Sequence, residues 1–296
     1  MSDAPPRTEL AVVERPEQLR ELSRVWELAA LRSGLVPTMG ALHQGHLALI
    51  RAARSRCQRV VVSVFVNPRQ FGATEDLAGY PRPLRQDLER LRSEGVDAAY
   101  CPALEVMYPP GFATEVAVRA AGSRWEAERR PGHFVGVATV MTKLLATARP
   151  EVAFLGEKDI QQVAVVTRLA RDLDLGTEIS VCPTVREEDG LACSSRNQRL
   201  SPEGRMAAAV LARALARTGA EFVGGQRSGD ALADVAASVV AEEPRAELDY
   251  AGVVDPSDFE PAELARPSSR VMLAARVEGV RLIDNATLAQ AAQLPC

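Results

Sequence analysis

Two of the three histidines in this 296-residue chain lie three residues apart, in the stretch MGALHQGH at positions 39–46. His43 and His46 at this spacing are compatible with a zinc pair, a helix cap, packing in a core, or a site that handles phosphate. A zinc pair needs further ligands, and the remaining histidine, His133, has no acidic or cysteine cluster near it in the sequence. Imidazoles can donate hydrogen bonds to phosphate oxygens as negative charge builds during phosphoryl-group chemistry.

The position of this stretch favours the phosphate interpretation. It follows a predicted short strand, LVPT, and precedes a predicted helix that opens near Gly45. Gly40 and Gly45 allow the backbone to approach a ligand closely. The helix N-terminus is expected to present free N–H groups to an anion.

A long loop, FVNPRQFGATEDLAGYPRPLRQD at 65–87, follows the next predicted strand. Loops of this length inside a compact domain are often functional. The side chains of Asn67 and Gln70 can both donate and accept hydrogen bonds, which suits the orientation of a hydroxyl or carboxylate. A polar surface loop is the alternative interpretation.

The stretch FLGEKDIQQVAVV at 154–166 repeats the arrangement of strand end, glycine and helix start. Lys158 at a helix N-terminus is electrostatically unfavourable unless an anion binds there. Asp159 has an ordinary alternative role as a cap. Gln162, one turn beyond Lys158, is expected to face the same cleft.

The loop CSSRNQRLSP at 193–202 carries two serine hydroxyls and Arg196. Such a loop can wrap a polyphosphate, with the guanidinium as a multidentate donor. Serine-rich loops are common, so this loop indicates a phosphate site only in combination with the other stretches.

The elements that position these stretches form two predicted domains. Up to about residue 184, β-rich runs alternate with helical patterns, which predicts a doubly wound, Rossmann-like parallel sheet over 1–184. The first helix is predicted to end at Gly34. After the boundary, helical patterns that include MAAAVLARALARTGA and three short strands predict a smaller α+β domain over 185–296.

Composition restricts the class of protein. The formal charge of −4 and pI near 5.6 argue against a general nucleic-acid binder. The five cysteines, at 57, 101, 182, 193 and 296, are odd in number and form no CxxC pair, which favours reduced thiols in the cytoplasm. The N-terminus MSDAPPRTEL lacks the pattern of a signal peptide, and no run approaches the roughly 20 apolar residues of a membrane span.

Five motifs, in order and spacing, resemble those of the pantoate–beta-alanine ligase family: VPTMGALHQGH, FVNPRQF, GYPR, FLGEKDIQQ and PTVREEDGLACSSRN. The resemblance runs from about residue 10 to the C-terminus and is densest between 36 and 200. HQGH is similar to the HxGH element of the wider nucleotidyltransferase group, and CSSRN occupies the place of that group's KMSKS loop.

The resemblance implies ATP-dependent condensation of (R)-pantoate with beta-alanine to pantothenate. The reaction passes through a pantoyl-adenylate and releases AMP and pyrophosphate. ATP is then a co-substrate, with Mg²⁺ held mainly by phosphates and water. The family is typically a cytoplasmic homodimer. The alternative is a nucleotidyltransferase that adenylates a different small acid or phosphate.

The resemblance also implies roles for individual residues. The implied ATP contacts lie in three groups: Met39, Gly40, Ala41, Leu42, His43, Gln44, Gly45 and His46; Gly156, Glu157, Lys158 and Asp159; and Val185, Cys193, Ser194, Ser195 and Arg196. The implied catalytic residues among them are His43, His46, Lys158, Ser194, Ser195 and Arg196, with His46 usually assigned as proton donor.

Gln70 and Gln162 resemble the pair that holds pantoate, and Gln70 also borders the beta-alanine site. Asn67 and Tyr80 are expected to line the same pocket, and Asp87 is a candidate carboxylate for the metal. His133 lies in RPGHFVGV, which resembles a segment that lines the cavity. Two positions depart from the family pattern, because Cys193 replaces a methionine and Val135 replaces an arginine.

Overall fold

A computed structural model of the chain describes residues 9–72, 77–119 and 123–294. The first eight residues of the N-terminal stretch, residues 73–76 of the long loop, and Cys296 lie outside the described residues. The described residues group into two compact units. The first unit comprises the described residues of Met1–Arg119, Arg130–Glu157 and Gln162–Cys182, and the second comprises those of Ala120–Arg129, Lys158–Gln161 and Pro183–Cys296.

Two short segments that the sequence analysis assigns to the first domain therefore cluster with the second unit, around Trp125 and around Lys158. The domain boundary at residue 184 stays a prediction.

Strands and helices follow one another along the chain. The strands are β1 (Ala11–Val13), β2 (Ser33–Thr38), β3 (Arg59–Val64), β4 (Ala98–Tyr100), β5 (Val152–Gly156), β6 (Glu178–Cys182), β7 (Ala246–Val254), β8 (Arg270–Val277) and β9 (Val280–Thr287). The α-helices are α1 (Pro16–Leu28), α2 (Gln44–Arg56), α3 (Leu84–Ser93), α4 (Leu104–Met107), α5 (Glu126–Arg129), α6 (His133–Ala148), α7 (Ile160–Asp172), α8 (Pro202–Ala208), α9 (Val210–Val223), α10 (Gly229–Ala241) and α11 (Leu288–Ala291). Short 3₁₀ helices cover Pro68–Gln70, Glu157–Asp159 and Ser195–Arg199.

The first unit is built on a six-stranded parallel sheet in the order β1-β4-β3-β2-β5-β6. Its central strands are apolar and β-branched because both faces are covered, and Val36, Val62 and Phe154 are fully buried. The chain passes from β2 to β3 on one side, while β5 pairs with the other side of β2. The carboxyl ends of β2 and β5 therefore meet at a switch point, where ligands bind in open α/β sheets.

The second unit contains the antiparallel sheet β7-β8-β9, with α9 and α10 contributing to its core through Leu211, Leu215 and Leu232. The predicted fold class, a Rossmann-like parallel sheet followed by a smaller α+β part, is confirmed. Within the described residues, no helix is long and apolar enough to cross a membrane.

Two local predictions were wrong. Gly34 does not end the first helix, which stops at Leu28, but lies inside β2. A Cβ there would lie 3.0 Å from Cys57 Sγ and 3.1 Å from Phe154, so the glycine serves packing rather than a helix cap. The alanine-rich stretch predicted as one helix is split at Ala209 into α8 and α9.

Candidate functional site

The two histidines of MGALHQGH begin α2 and cap it. The Nδ1 atom of His43 accepts from the Gly45 N–H at 3.2 Å, and His46 Nδ1 accepts from the His43 N–H at 3.4 Å. The two rings lie 4.0 Å apart, and both side chains are half-buried. The expectation of free N–H groups at this helix start was wrong at Gly45, because the imidazole of the cap takes that donor.

The cap also fixes the tautomer of both rings. An Nδ1 that accepts a backbone hydrogen bond carries no proton, so the neutral ring is protonated at Nε2. His43 and His46 therefore each carry their N–H donor on the ring nitrogen farther from the backbone. The helix-cap and phosphate-handling interpretations are compatible, since capping uses Nδ1 of each ring and the N–H donor lies on Nε2.

The loop that leads into these histidines is held by Asp87 of α3. This carboxylate is fully buried, and its two oxygens accept the N–H groups of Ala41 and Leu42, both at 2.8 Å. Gly40 and Ala41 both adopt left-handed backbone conformations, with φ of 81° and 49°. The Gly40 N–H donates to Thr38 Oγ1 at 3.1 Å. The amides of residues 40, 41 and 42 are therefore bonded within the unit.

This arrangement bears on the metal role considered for Asp87. Both of its oxygens bind backbone amides, which favours a role in holding the loop. Within residues 9–72, 77–119 and 123–294, no group of three or more His, Cys, Asp or Glu side chains is arranged to hold a metal ion. The assignment of Asp87 as a metal ligand stays a prediction.

Gln70 lies on a 3₁₀ turn after β3, where neighbouring side chains fix it. Its Oε1 accepts from Asn67 Nδ2 at 3.0 Å, and its Nε2 lies 3.0 Å from Met39 Sδ. Asn67 is almost fully buried and also donates to the Gly136 carbonyl, while its Oδ1 accepts from Tyr108. Burial raises the pKa of Tyr108 to about 12, so its hydroxyl remains a donor at neutral pH. The amide of Asn67 therefore holds Gln70, and its predicted place in the wall of the pocket stays a prediction.

His133, whose role the sequence left open, supports the backbone of Gln70. Its Nδ1 lies 2.8 Å from the Gln70 carbonyl, and its Nε2 lies 3.1 Å from Arg130 Nη1. A guanidinium only donates, so Nε2 is the acceptor and Nδ1–H is the donor. Arg130 donates to the same carbonyl at 3.1 Å. Both ring nitrogens are thus engaged within the protein.

Gly136 lets α6 approach the 3₁₀ turn that carries Gln70 closely, because a Cβ there would lie 2.2 Å from the Arg69 carbonyl oxygen.

Other predicted site residues of the first unit lie at strand ends or helix starts. Gly156 ends β5, Glu157 begins the following 3₁₀ turn, and Gln162 lies half-buried in the first turn of α7. Tyr80 is buried, with its ring 5.7 Å from that of Phe71.

Lys158 and Asp159 complete the 3₁₀ turn and cluster with the second unit. Lys158 is only 15% exposed, and its Nζ lies 3.9 Å from Asp159 Oδ1. Its backbone carbonyl accepts from Asn285 Nδ2 of β9 at 2.7 Å.

The serine loop of the second unit is partly buried. Cys193 N–H donates to the Val185 carbonyl at 2.9 Å, which joins the loop to the preceding segment. Ser194 caps the 3₁₀ helix by accepting the Arg196 N–H at 3.3 Å, and Ser195 is buried. Arg196 is half-buried. The hydroxyl of Ser194 thus has a structural role in addition to the predicted contact with ATP.

The contact at Cys193 yields a prediction about the departure from the family pattern. If this residue acts through its backbone, Cys193→Met should leave the KM for ATP within tenfold of the parental value. A larger change in steady-state assays, which corresponds to more than about 1.4 kcal/mol, would assign a role to the side chain itself.

The sequence does not predict several residues that hold the candidate site: Tyr108, Arg130, Arg186, Asp284 and Asn285. Each of them makes at least one contact to a residue 40 or more positions away in the sequence. Asp284 and Asn285 leave one local signal, since two adjacent polar residues interrupt the apolar pattern of a predicted strand.

The order of the parallel strands and the capped histidine pair at the switch point of the sheet define a Rossmann-like protein with an HxGH motif. The family model for pantoate-beta-alanine ligase matches residues 11–287. A pantothenate synthetase from Rhizorhabdus wittichii is 46% identical over 278 residues, which cover 93% of this chain and 98% of the relative. One from Deinococcus radiodurans is 50% identical over 266 residues, covering 88% of this chain and 95% of the relative. The chain belongs to the pantoate–beta-alanine ligase family.

Solved structures agree with this assignment. The crystal structure of pantothenate synthetase from Thermus thermophilus has a TM-score of 0.87 at 44% identity, covering 94% of this chain and 99% of that one. Pantoate-beta-alanine ligase from Francisella tularensis, solved with beta-gamma ATP and beta-alanine, has a TM-score of 0.76 at 33% identity. That match covers 95% of this chain and 98% of the Francisella chain.

Proposed function

We propose that this protein condenses (R)-pantoate with beta-alanine at the expense of ATP, through a pantoyl-adenylate, and releases AMP and pyrophosphate. The observation that carries the proposal is the capped pair of His43 and His46 at the switch point between β2 and β5. Membership of the family and the overall likeness to its solved members support the same reaction.

The first step displaces pyrophosphate at the α-phosphorus of ATP. Negative charge then grows on the phosphate oxygens, and positioned donors and cations stabilise it. The Nε2–H groups of His43 and His46, the ammonium group of Lys158 and the guanidinium of Arg196 are the proposed contributors. Mg²⁺, held mainly by phosphate oxygens and water, neutralises charge on the nucleotide and needs no cage of protein carboxylates.

Gln70 and Gln162 are proposed to orient pantoate so that its carboxylate faces the α-phosphorus. Gln70 suits this role because Asn67 and the backbone contacts of His133 and Arg130 restrict its movement. A fixed orientation of two reactants supplies a large share of catalysis. In the second step the amine of beta-alanine attacks the adenylate carbonyl and AMP leaves.

The direct test is to incubate the purified protein with ATP, Mg²⁺, pantoate and beta-alanine. Equimolar pantothenate and AMP, dependent on all four components, are expected. Formation of AMP with another acid but not with pantoate would refute the proposal.

The family resemblance extends the proposal to a cytoplasmic homodimer. The four cysteines in the described ranges are all free thiols, which supports a reducing compartment. Sedimentation of the purified protein tests its oligomeric state.

A further inference from the structure

Two adjacent residues of β9, Asp284 and Asn285, contact both segments of the second unit that carry proposed ATP ligands. Asn285 Nδ2 donates to the Lys158 carbonyl at 2.7 Å. The two oxygens of Asp284 pair with the guanidinium of Arg186 at 2.6 and 2.9 Å. Arg186 directly follows Val185, to which the serine loop is joined.

These two side chains are rigidly held. Asp284 is 2% exposed and Asn285 is 4% exposed. Asp284 Oδ1 also accepts the Asn285 N–H at 2.8 Å, and the buried Arg270 donates to Asn285 Oδ1. A side chain fixed on both of its polar atoms can in turn fix the group that it contacts.

The segment around Arg186 is equally constrained. Besides its bidentate pair with Asp284, Arg186 donates to the Gly190 carbonyl at 2.9 Å and forms a β-bridge with Ala192. The next residue, Cys193, donates to Val185. The base of the serine loop is therefore tied to the same strand as the Lys158 turn.

We infer that Asn285 is a positioning residue for Lys158. Together, Asn285 and Asp284 fix the positions of Lys158 and the serine loop relative to each other. A lysine ammonium is a point charge on a long, flexible stem, so its effect on the transition state depends on where its backbone is anchored. The hydrogen bond from Asn285 fixes the peptide group that follows Cα of Lys158. This inference rests on the proposed function for its activity measurements.

Asn285→Asp is the most selective substitution. It keeps the size of the side chain and an oxygen for Arg270, but it replaces the N–H donor with an oxygen opposite the Lys158 carbonyl. We expect kcat to fall about tenfold, because displacement of a catalytic group by about 1 Å can cost more than that. The KM for pantoate should stay within about twofold. Asn285→Ala is the second variant, because a new carboxylate next to Asp284 can impair folding.

The matched control is Thr218→Val, an isosteric loss of a buried hydroxyl that donates to the Ala214 carbonyl within α9. It should leave kcat unchanged. A purely structural role of Asn285 would lower the melting temperature and leave the kcat of the folded protein unchanged.

The decisive measurement is a double-mutant cycle with Lys158→Ala. If Asn285 acts through Lys158, the double variant has the same kcat as Lys158→Ala alone. Effects that multiply, or a parental kcat for both Asn285 variants, would overturn the inference.

The same double-mutant cycle is repeated with the Kd for Mg·ATP, measured by calorimetry. This measurement distinguishes failure of the inference from failure of the proposed function. Binding of Mg·ATP without pantothenate formation would refute the proposed function alone. The binding cycle then decides the inference: Lys158→Ala should raise Kd, and adding Asn285→Asp should raise it no further. A Kd that is insensitive to Lys158, or changes that multiply, would overturn it.

Discussion

His46→Ala and Lys158→Ala are each expected to lower kcat about 100-fold or more and to raise the KM for ATP by a smaller factor. Each substitution removes a donor or charge that acts mainly on the developing charge of the transition state. Steady-state kinetics on variants with a parental circular dichroism spectrum measure the effect. The control is Lys143→Met, since Lys143 is the only other lysine of the chain and lies near the Phe112 ring.

The geometry of the cap separates two roles of His46. Asparagine places an oxygen near the position of Nδ1 and keeps the cap, whereas glutamine places a donor near the position of Nε2. His46→Gln should therefore retain more activity than His46→Asn. Glutamine donates a hydrogen bond but does not give up its proton, so substantial activity in His46→Gln favours charge stabilisation over proton donation. If a folded His46→Ala or Lys158→Ala variant kept a near-parental kcat, we would withdraw the role of that residue.

Asp87→Asn is expected to lower kcat by about 100-fold and the free energy of unfolding by about 3 kcal/mol. The amide oxygen of the variant still accepts one of the two N–H groups of Ala41 and Leu42. The NH₂ group faces the second N–H, so a charge-assisted hydrogen bond is lost. The loop then no longer holds the histidines in place. Denaturant titration and kinetics measure the two effects.

Glu89→Gln is the control, because Glu89 is an exposed carboxylate of the same helix. The metal role predicted for Asp87 gives a different result. Loss of a metal ligand would raise the Mg²⁺ concentration needed for half-maximal activity, and excess Mg²⁺ would restore kcat. Such rescue would contradict the loop-holding account.

Local sequence patterns predict much of this fold. The alternation of apolar runs with helical periodicity predicts the parallel sheet, and strand ends followed by glycine locate the stretches expected to bind ligands. The switch point itself follows from the strand order, which the sequence does not predict. The sequence does not predict the three-residue edge strand β1, since so short a run gives no periodic signal. Gly34 was misassigned because a glycine in a strand and a glycine after a helix look alike in sequence.

The sequence predicts which residues are candidate ligands, but it does not predict which residues hold them in place. The HQGH pattern identifies the histidine pair, and only the structure shows that their Nδ1 atoms cap α2. Asn67 has a suitable side chain for a ligand, yet its partners Tyr108 and Gly136 lie 41 and 69 residues away. Contacts between elements that are distant in sequence leave no local pattern.

The central claim, that pantoate is adenylated before the amine arrives, is tested most directly by isotope exchange. With pantoate and Mg²⁺ but without beta-alanine, the protein should exchange labelled pyrophosphate into ATP. ATP with beta-alanine alone should give no exchange. Gln162→Ala should weaken exchange mainly by raising the pantoate concentration required, because it leaves the proposed phosphate ligands in place. Exchange that strictly required beta-alanine would contradict the adenylate mechanism, and exchange with an unrelated acid but not with pantoate would assign the protein to a different nucleotidyltransferase reaction.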